Sequence, residues 1–372
     1  MPDFLLRIAN LCRKELLAIL KDPASRVVLF APAIMQTLIF GYAATFELSN
    51  VPYALVDQSR SVASAALVAR LDGTGVFHRV ADLQTPPQVT DAINAGRALV
   101  VLHIGPRFEQ ELAAGQGADV QLLVDARNSN TAGSAVRHVN SVVQGFNAQL
   151  RAQAGLPPMR LRIETRAWYN PQLETRWNLV PGLIAALSML QTLLLTALSV
   201  AREREQGTFD QLLVTPMSPT EIMVGKALPP MLVGMVQSTL ILLMALLWFR
   251  IPLAGSLVTL YIGLLFFTTA SVGIGLSISA VAANMQQAML YAFVLLMPMM
   301  LLSGLTTPVR NMPALLQTLT YANPLRFAID LVQRVYLEGV GLATVAPNLV
   351  PLTVIALLTL PLATWLFRHR LV

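Results

Sequence analysis

The chain has 372 residues, 55% of them hydrophobic and only 12% charged, with a formal net charge of +6. A soluble domain carries roughly 25% charged residues, so this composition belongs to a membrane protein. The basic excess flanks apolar runs or sits among acids, which reads as an orientation signal and not as a nucleic-acid surface. One cysteine, Cys12, excludes an internal disulfide framework and a cysteine metal site.

Residues 3–20 place Phe4, Ile8, Leu11, Cys12, Leu16 and Ile19 at helical spacing, with Arg7, Asn10, Arg13 and Lys14 elsewhere on the helix. This predicts an amphipathic helix in the headgroup layer, its basic side toward anionic membrane lipid and Cys12 filling its apolar side. The run 27–46 carries no charge and matches a ~30 Å hydrocarbon core, so it reads as an uncleaved first span. Its basic lead-in, residues 1–26, sets the N-terminus in the cytoplasm.

Residues 47–176 have the composition of a soluble domain. Strand-like runs at 53–56, 77–83, 98–104, 119–126 and 161–169 alternate with helical stretches near 59–71, 87–95, 107–114 and 134–154. That alternation predicts an extracytoplasmic α/β domain. Asp57 and Asp125 end strands, where such sheets place ligands, but turn and cap duty accounts for both. His78, His103 and His138 lack ligand spacing, so no metal site is read.

Further spans are expected at 177–200, from Pro219 to about Phe249, at 253–282, at 288–302 and at 347–367. The fold class is an α-helical polytopic membrane protein with six transmembrane helices and an inserted α/β domain. Both termini are then cytoplasmic, as are all three lysines; Arg250 falls outside, against the rule. Trp177, Trp248 and Trp365 sit at span ends, and Gly263, Gly273 and Gly275 suit a closely packed fourth span. Residues 305–345 are too polar to span and are expected to re-enter the membrane or lie on its outer face. There Asn323-Pro324 reads as N-cap and first helical residue, and Asp330 with Arg334 as an (i, i+4) pair.

The polar island 202–226, REREQGTFDQLLVTPMSPTEIMVGK, interrupts the apolar second half. The helix before it should run through Glu205 and break at Gly207. Thr208 with Gln211 is a capping-box pattern that starts a short helix carrying Phe209, Leu212 and Leu213, ended by Pro216. Ser218-Pro219-Thr220-Glu221 is a second helix start. Helix, break, short helix, stop and helix make a rigid element suited to transmitting motion. Gly225-Lys226 is followed by Ala227 and lacks an upstream glycine at P-loop spacing, so it binds no nucleotide.

EREQGTFDQLLVTPMSPTEIMVGK resembles the cytoplasmic signature of ABC type-2 exporter permeases: E-R-E-x-G-T, then L-x-x-x-P, then E-I-x-x-G-K. LLSGLTTPVRNMP (301–313), NPLRF with Arg334, and RKELLAILKDP (13–23) are similar to other parts of that multidrug-efflux-like family, as is the layout of one span, a large outer domain and five spans. The resemblance implies a transport subunit and not an enzyme: two permease chains, as homodimer or paralogous heterodimer, each on a separate ABC ATP-binding subunit that holds ATP and Mg. No cofactor is implied on this chain. The coupling role falls on Glu203, Glu205, Gly207, Thr208, Leu212, Pro216 and Glu221. The path of a drug-like, lipid or other amphipathic substrate would run at the dimer interface, with Met189, Gln191, Met297, Met299 and Met300 as candidate lining. A periplasmic adaptor is a further expected partner of the outer domain. The rival reading is a membrane-anchored binding or assembly protein working through 47–176; the elaborated loop at 202–226 speaks against it. An intramembrane enzyme is disfavoured, because the spans hold no His/Glu/Asp cluster and no Ser/His pair.

Overall fold

The computed structural model describes residues 3–21, 23–43, 50–115, 117–127, 129–155, 170, 174–208 and 217–369. Two compact units result, Phe46–Arg166 and the remainder of the chain.

The first unit contains β1 (Val51–Asp57), α3 (Val62–Asp72), β2 (Phe77–Asp82), α4 (Pro86–Asn94), β3 (Val100–Ile104), α5 (Phe108–Ala113), β4 (Val120–Val124) and α6 (Ser129–Gln153). The sheet order is β2-β1-β3-β4; β1 runs parallel to β2 and β3, and β4 antiparallel to β3. β1 and β3 are almost wholly apolar because both faces are covered. Leu67 and Leu71 of α3 and Val139 and Phe146 of α6 pack on Tyr53, Leu55, Val100 and Leu102. On the other face Ala92 of α4 meets Ala54, Val56 and Val101. The strand expected at 161–169 lies outside the described residues.

Asp57 accepts hydrogen bonds from Ser59 N (3.0 Å), Arg60 N (2.9 Å) and Ser64 Oγ (2.7 Å). That turn holds Arg60 at φ 47°. α3 therefore starts later than the expected position near 59, with Ser61 as N-cap in a capping box with Ser64. Asp125 accepts from Arg127 N at 3.1 Å and from the Arg127 guanidinium, which holds its carboxyl below the usual range. Both aspartates serve turns.

The second unit is helical: α1 (Asp3–Lys21), α2 (Pro23–Ala43), α7 (Thr175–Glu205), α8 (Pro219–Leu243, continued by a π turn Met244–Trp248), α9 (Leu257–Val281), α10 (Met285–Leu301), α11 (Ala314–Leu319), α12 (Pro324–Gln333, continued by a π turn Arg334–Glu338) and α13 (Leu342–His369). Thr175–Glu205, Pro219–Trp248, Leu257–Val281 and Leu342–His369 are long and apolar enough to cross a membrane; Leu29–Tyr42 and Met285–Leu301 are shorter apolar helices.

α7 is the central post. Val180, Ile184, Met189, Leu193 and Ala197 are fully buried along it, and it packs against α2, α8, α9, α10 and α12. Small residues bring α9 close: a Cβ on Gly275 would lie 2.6 Å from Thr196 Cβ. Ser279 Oγ, one turn on, accepts from Val200 N at 3.0 Å. In the segment 305–345, Asn323 caps α12 by accepting from Leu325 N at 3.0 Å, with Pro324 as its first residue. The apolar stripe Leu325, Ala328, Leu331 and Val332 is buried, and α12 packs on α7, α9 and α13. α13 begins at Leu342, ahead of the expected Pro347, which lies inside the helix.

Candidate coupling site

The polar island begins where α7 runs out of apolar residues. Gln206 caps the helix and Gly207 takes φ 68°, which a side chain would strain. Thr208 N donates to Glu203 O at 3.0 Å and Gly207 N to Arg204 O at 3.2 Å, so the last carbonyls are closed by a Schellman motif. On the far side Ser218 N donates to the Glu221 carboxylate, while Glu221 N donates to Ser218 Oγ at 3.3 Å. With Pro219 at the first helical position, both ends of the island are locked by local chemistry. Residues 209–216, including the expected short helix with Leu212, Leu213 and Pro216, lie outside the described residues.

The two locked ends are joined by charge. Lys226 of α8 is 1% exposed, and its Nζ lies 2.7 Å from Glu203 Oε2 of α7 and 3.4 Å from Glu15 Oε1 of α1. Ser199 Oγ accepts from the same ammonium at 3.4 Å. Lys14 Nζ approaches the other Glu203 oxygen at 3.5 Å, and Arg7 Nη1 lies 3.7 Å from Glu221 Oε1. An ammonium this deeply buried is tolerable only with counter-charges, and two carboxylates from different helices supply them.

This arrangement also seats α1. Ile8 and Leu11 are buried, and α1 packs on α8. A Cβ on Gly225 would lie 2.6 Å from Leu11 Cδ2, so the glycine permits the approach. The amphipathic face read as lipid-facing is thus partly spent on a helix of the same chain. Cys12 is half-buried beside it; burial, and then the Glu15 carboxylate, push its thiol up, which makes it less reactive than a free cysteine.

A second joint holds α7 from the other side. Arg204 Nη1 donates to Ala282 O at 3.0 Å, and the Glu205 carboxylate accepts from Met285 N at 3.0 Å. Asn284 caps α10 by accepting from Gln287 N at 2.8 Å. A carboxylate at the first amides of a helix complements its dipole. The end of α7 is therefore tied to the turn between α9 and α10.

Of the expected coupling residues, Glu203 is 6% and Glu221 5% exposed, and both are spent on contacts within the chain. Glu205 and Gly207 are exposed and Thr208 is half-buried. Lys226, Glu15, Lys14 and Arg7 were not expected to belong to the site. One signal was present: Lys226 is the single charge in the apolar run 222–249, and a charge there demands a partner. The candidate path residues do not share one surface. Met189 and Gln191 lie in the core, Met299 and Met300 are half-buried, and Met297 is 65% exposed on the outer side of α10.

A family model described as ABC-2 family transporter protein matches residues 26–365. The chain is 38% identical over 365 residues to the probable multidrug ABC transporter permease YbhR of Escherichia coli, covering 98% of this chain and 99% of that one. It is 29% identical over 374 residues to the inner membrane transport permease YhhJ of the same organism (98% and 97% covered). It is 28% identical over 372 residues to the probable multidrug ABC transporter permease YbhS (98% and 97% covered).

Proposed function

The chain belongs to the ABC-2 family of transporter proteins, and we propose that it is the permease subunit of an ATP-driven exporter. It sits in the cytoplasmic membrane, as its likeness to an inner membrane transport permease and its long apolar helices support. Its cargo is a drug-like, lipid or other amphipathic molecule moved outward. A separate ATP-binding subunit carries ATP and Mg and meets the end of the bundle where α7 stops and α8 starts. α2, α7, α8, α9, α10 and α13 are the six spans, both termini are cytoplasmic, and 46–166 lies outside, where a periplasmic adaptor would meet it. A second permease chain completes the path.

One observation carries the coupling reading: Lys226 joins α8 to Glu203 of α7 and Glu15 of α1. A push on the exposed turn at 205–208 would otherwise bend one helix end. Here the Schellman closure and the capping box keep both ends stiff, and the buried ion pair passes the displacement from α7 to α8 and α1. Arg204 and Glu205 pass it on to α9 and α10. Interfaces of this kind shift as units and do not deform continuously. The exposed turn at the end of α7 thereby addresses the whole bundle.

The test is reconstitution with the ATP-binding subunit and a fluorescent amphiphile. Glu203→Ala combined with Glu205→Ala should abolish transport while the complex still assembles and hydrolyses ATP. Transport at the unmodified rate in an assembled complex would refute the coupling role.

A further inference from the structure

Between the first turns of α8 and the last turns of α13 lies an open groove of about 1090 Å³. Met223, Val224 and Leu228 form one wall, Leu360 and Trp365 the other, and Val224 and Trp365 stand 43% and 53% exposed. The groove is apolar along its length and basic at one mouth. Arg368 and His369 line that mouth with Thr220, and among the described residues no carboxylate lines any part of it. His369 stacks on Trp365 with ring centroids 4.3 Å apart, and its Nδ1 sits 3.1 Å from Trp365 O. Arg368 makes no ion pair with any described residue. The neighbouring acid, Glu221, is turned away to Ser218 N and Arg7. The positive end of α8 opens on the same mouth.

Basic residues in the last turn of α13 complement that helix's own dipole. Dipole complementation does not account for an apolar trough beneath them, an indole at its rim, or the convergence of a second helix's positive end. Together these match an amphiphile with a negative head. A zwitterionic head would leave its ammonium without a counter-charge. An exposed tryptophan beside arginine is also the pattern of a headgroup-level anchor.

We propose that this groove holds an acyl chain of an anionic phospholipid, with its phosphate at Arg368 beside Thr220 at the N-terminal end of α8. The site rests on the reading above that this end of the bundle faces the cytoplasm, which puts the lipid in the inner leaflet. The bound lipid wedges α13 against α8, the helix that Lys226 ties to the coupling joint. Anionic lipid is then a structural part of the coupling end and not bulk solvent.

The test is native mass spectrometry of the full chain, purified in mild detergent and supplied with equal phosphatidylglycerol and phosphatidylcholine. The unmodified chain should retain phosphatidylglycerol preferentially. Arg368→Gln should lower that retention about fivefold, as loss of one basic headgroup contact does. Val224→Trp, which fills the groove and keeps the charge, should lower it at least as much. Arg310→Gln, an exposed arginine away from the groove, should leave it unchanged. Unchanged retention in Val224→Trp would overturn the proposal, since the lipid would then be held by surface charge alone or the groove filled by the chain's own 209–216. A change of oligomeric mass in Val224→Trp without loss of lipid would assign the groove to a second copy of the chain and overturn it equally. The readout needs neither ATP nor cargo, so the groove can fail while the export function stands; external labelling of this end of the bundle would instead strike the orientation.

Discussion

Lys226 Nζ lies 2.7 Å from Glu203 Oε2, and this pair joins the end of α7 to the first turns of α8. Both groups are buried, so removing one leaves the other with only a more distant partner, Glu15 for Lys226 or Lys14 for Glu203. Breaking such a pair costs about 3–5 kcal/mol, whereas replacing both partners by neutral groups is far milder. Lys226→Met should therefore lower the thermal unfolding midpoint in detergent strongly. Adding Glu203→Gln to it should recover part of the loss, while Lys14→Ala, on the exposed arm of the cluster, should cost no more than about 1 kcal/mol. If the double variant is as unstable as Lys226→Met plus Glu203→Gln summed, the two residues do not act as a pair.

The seat of α1 on α8 is checked with the native thiol. Cys12 is pushed above the ordinary thiol range by burial and by Glu15, so at pH 7 it is almost wholly protonated and the reactive thiolate is scarce. Maleimide labelling of the folded chain should be slow at pH 7. It should rise about tenfold per pH unit, and keep rising past the pH where a free cysteine levels off. Gly225→Leu drives a side chain into the space of Leu11 and should lift α1 from α8, removing the burial that is the larger cause of the raised thiol. Labelling at pH 7 should then accelerate several-fold. Equal rates in the two proteins would show that Gly225 does not set the approach.

How much of this was legible in the sequence follows the range of each interaction. The Gly207 break and the Ser218–Glu221 box are local: their partners lie within five residues, and both stand where the sequence put them. Strands 53–56 and 98–104 were legible because a strand covered on both faces must be apolar throughout. The site itself was not. Lys226 and Glu15 are 211 residues apart, and no spacing rule connects them. Glu203 received its coupling role through its match to the family motif, and its place on α7 turns it inward to Lys226. The methionines show the same limit: Met189 and Met297 share a residue type, while tertiary packing buries one and exposes the other.

In the unit 46–166, Asp57 holds the turn that lets α3 begin at Ser61. Asp57→Ala removes an acceptor used three times and should cost about 1–3 kcal/mol locally. Limited proteolysis of the full chain should show faster cutting near 58–61, and Asp57→Asn should fall between the two. An unchanged cleavage pattern in Asp57→Ala would remove the turn role and reopen Asp57 as a ligand carboxylate.

The central claim is that the end of α7 is the surface on which an ATP-binding subunit pushes. Gln206 is exposed at that end, between the buried Glu203 and the Gly207 break. With Cys12→Ala as background, Gln206→Cys in a co-expressed complex should crosslink to the ATP-binding subunit through a short bifunctional maleimide. The yield should change with ATP. Absence of that crosslink from an assembled, ATP-hydrolysing complex would contradict the account.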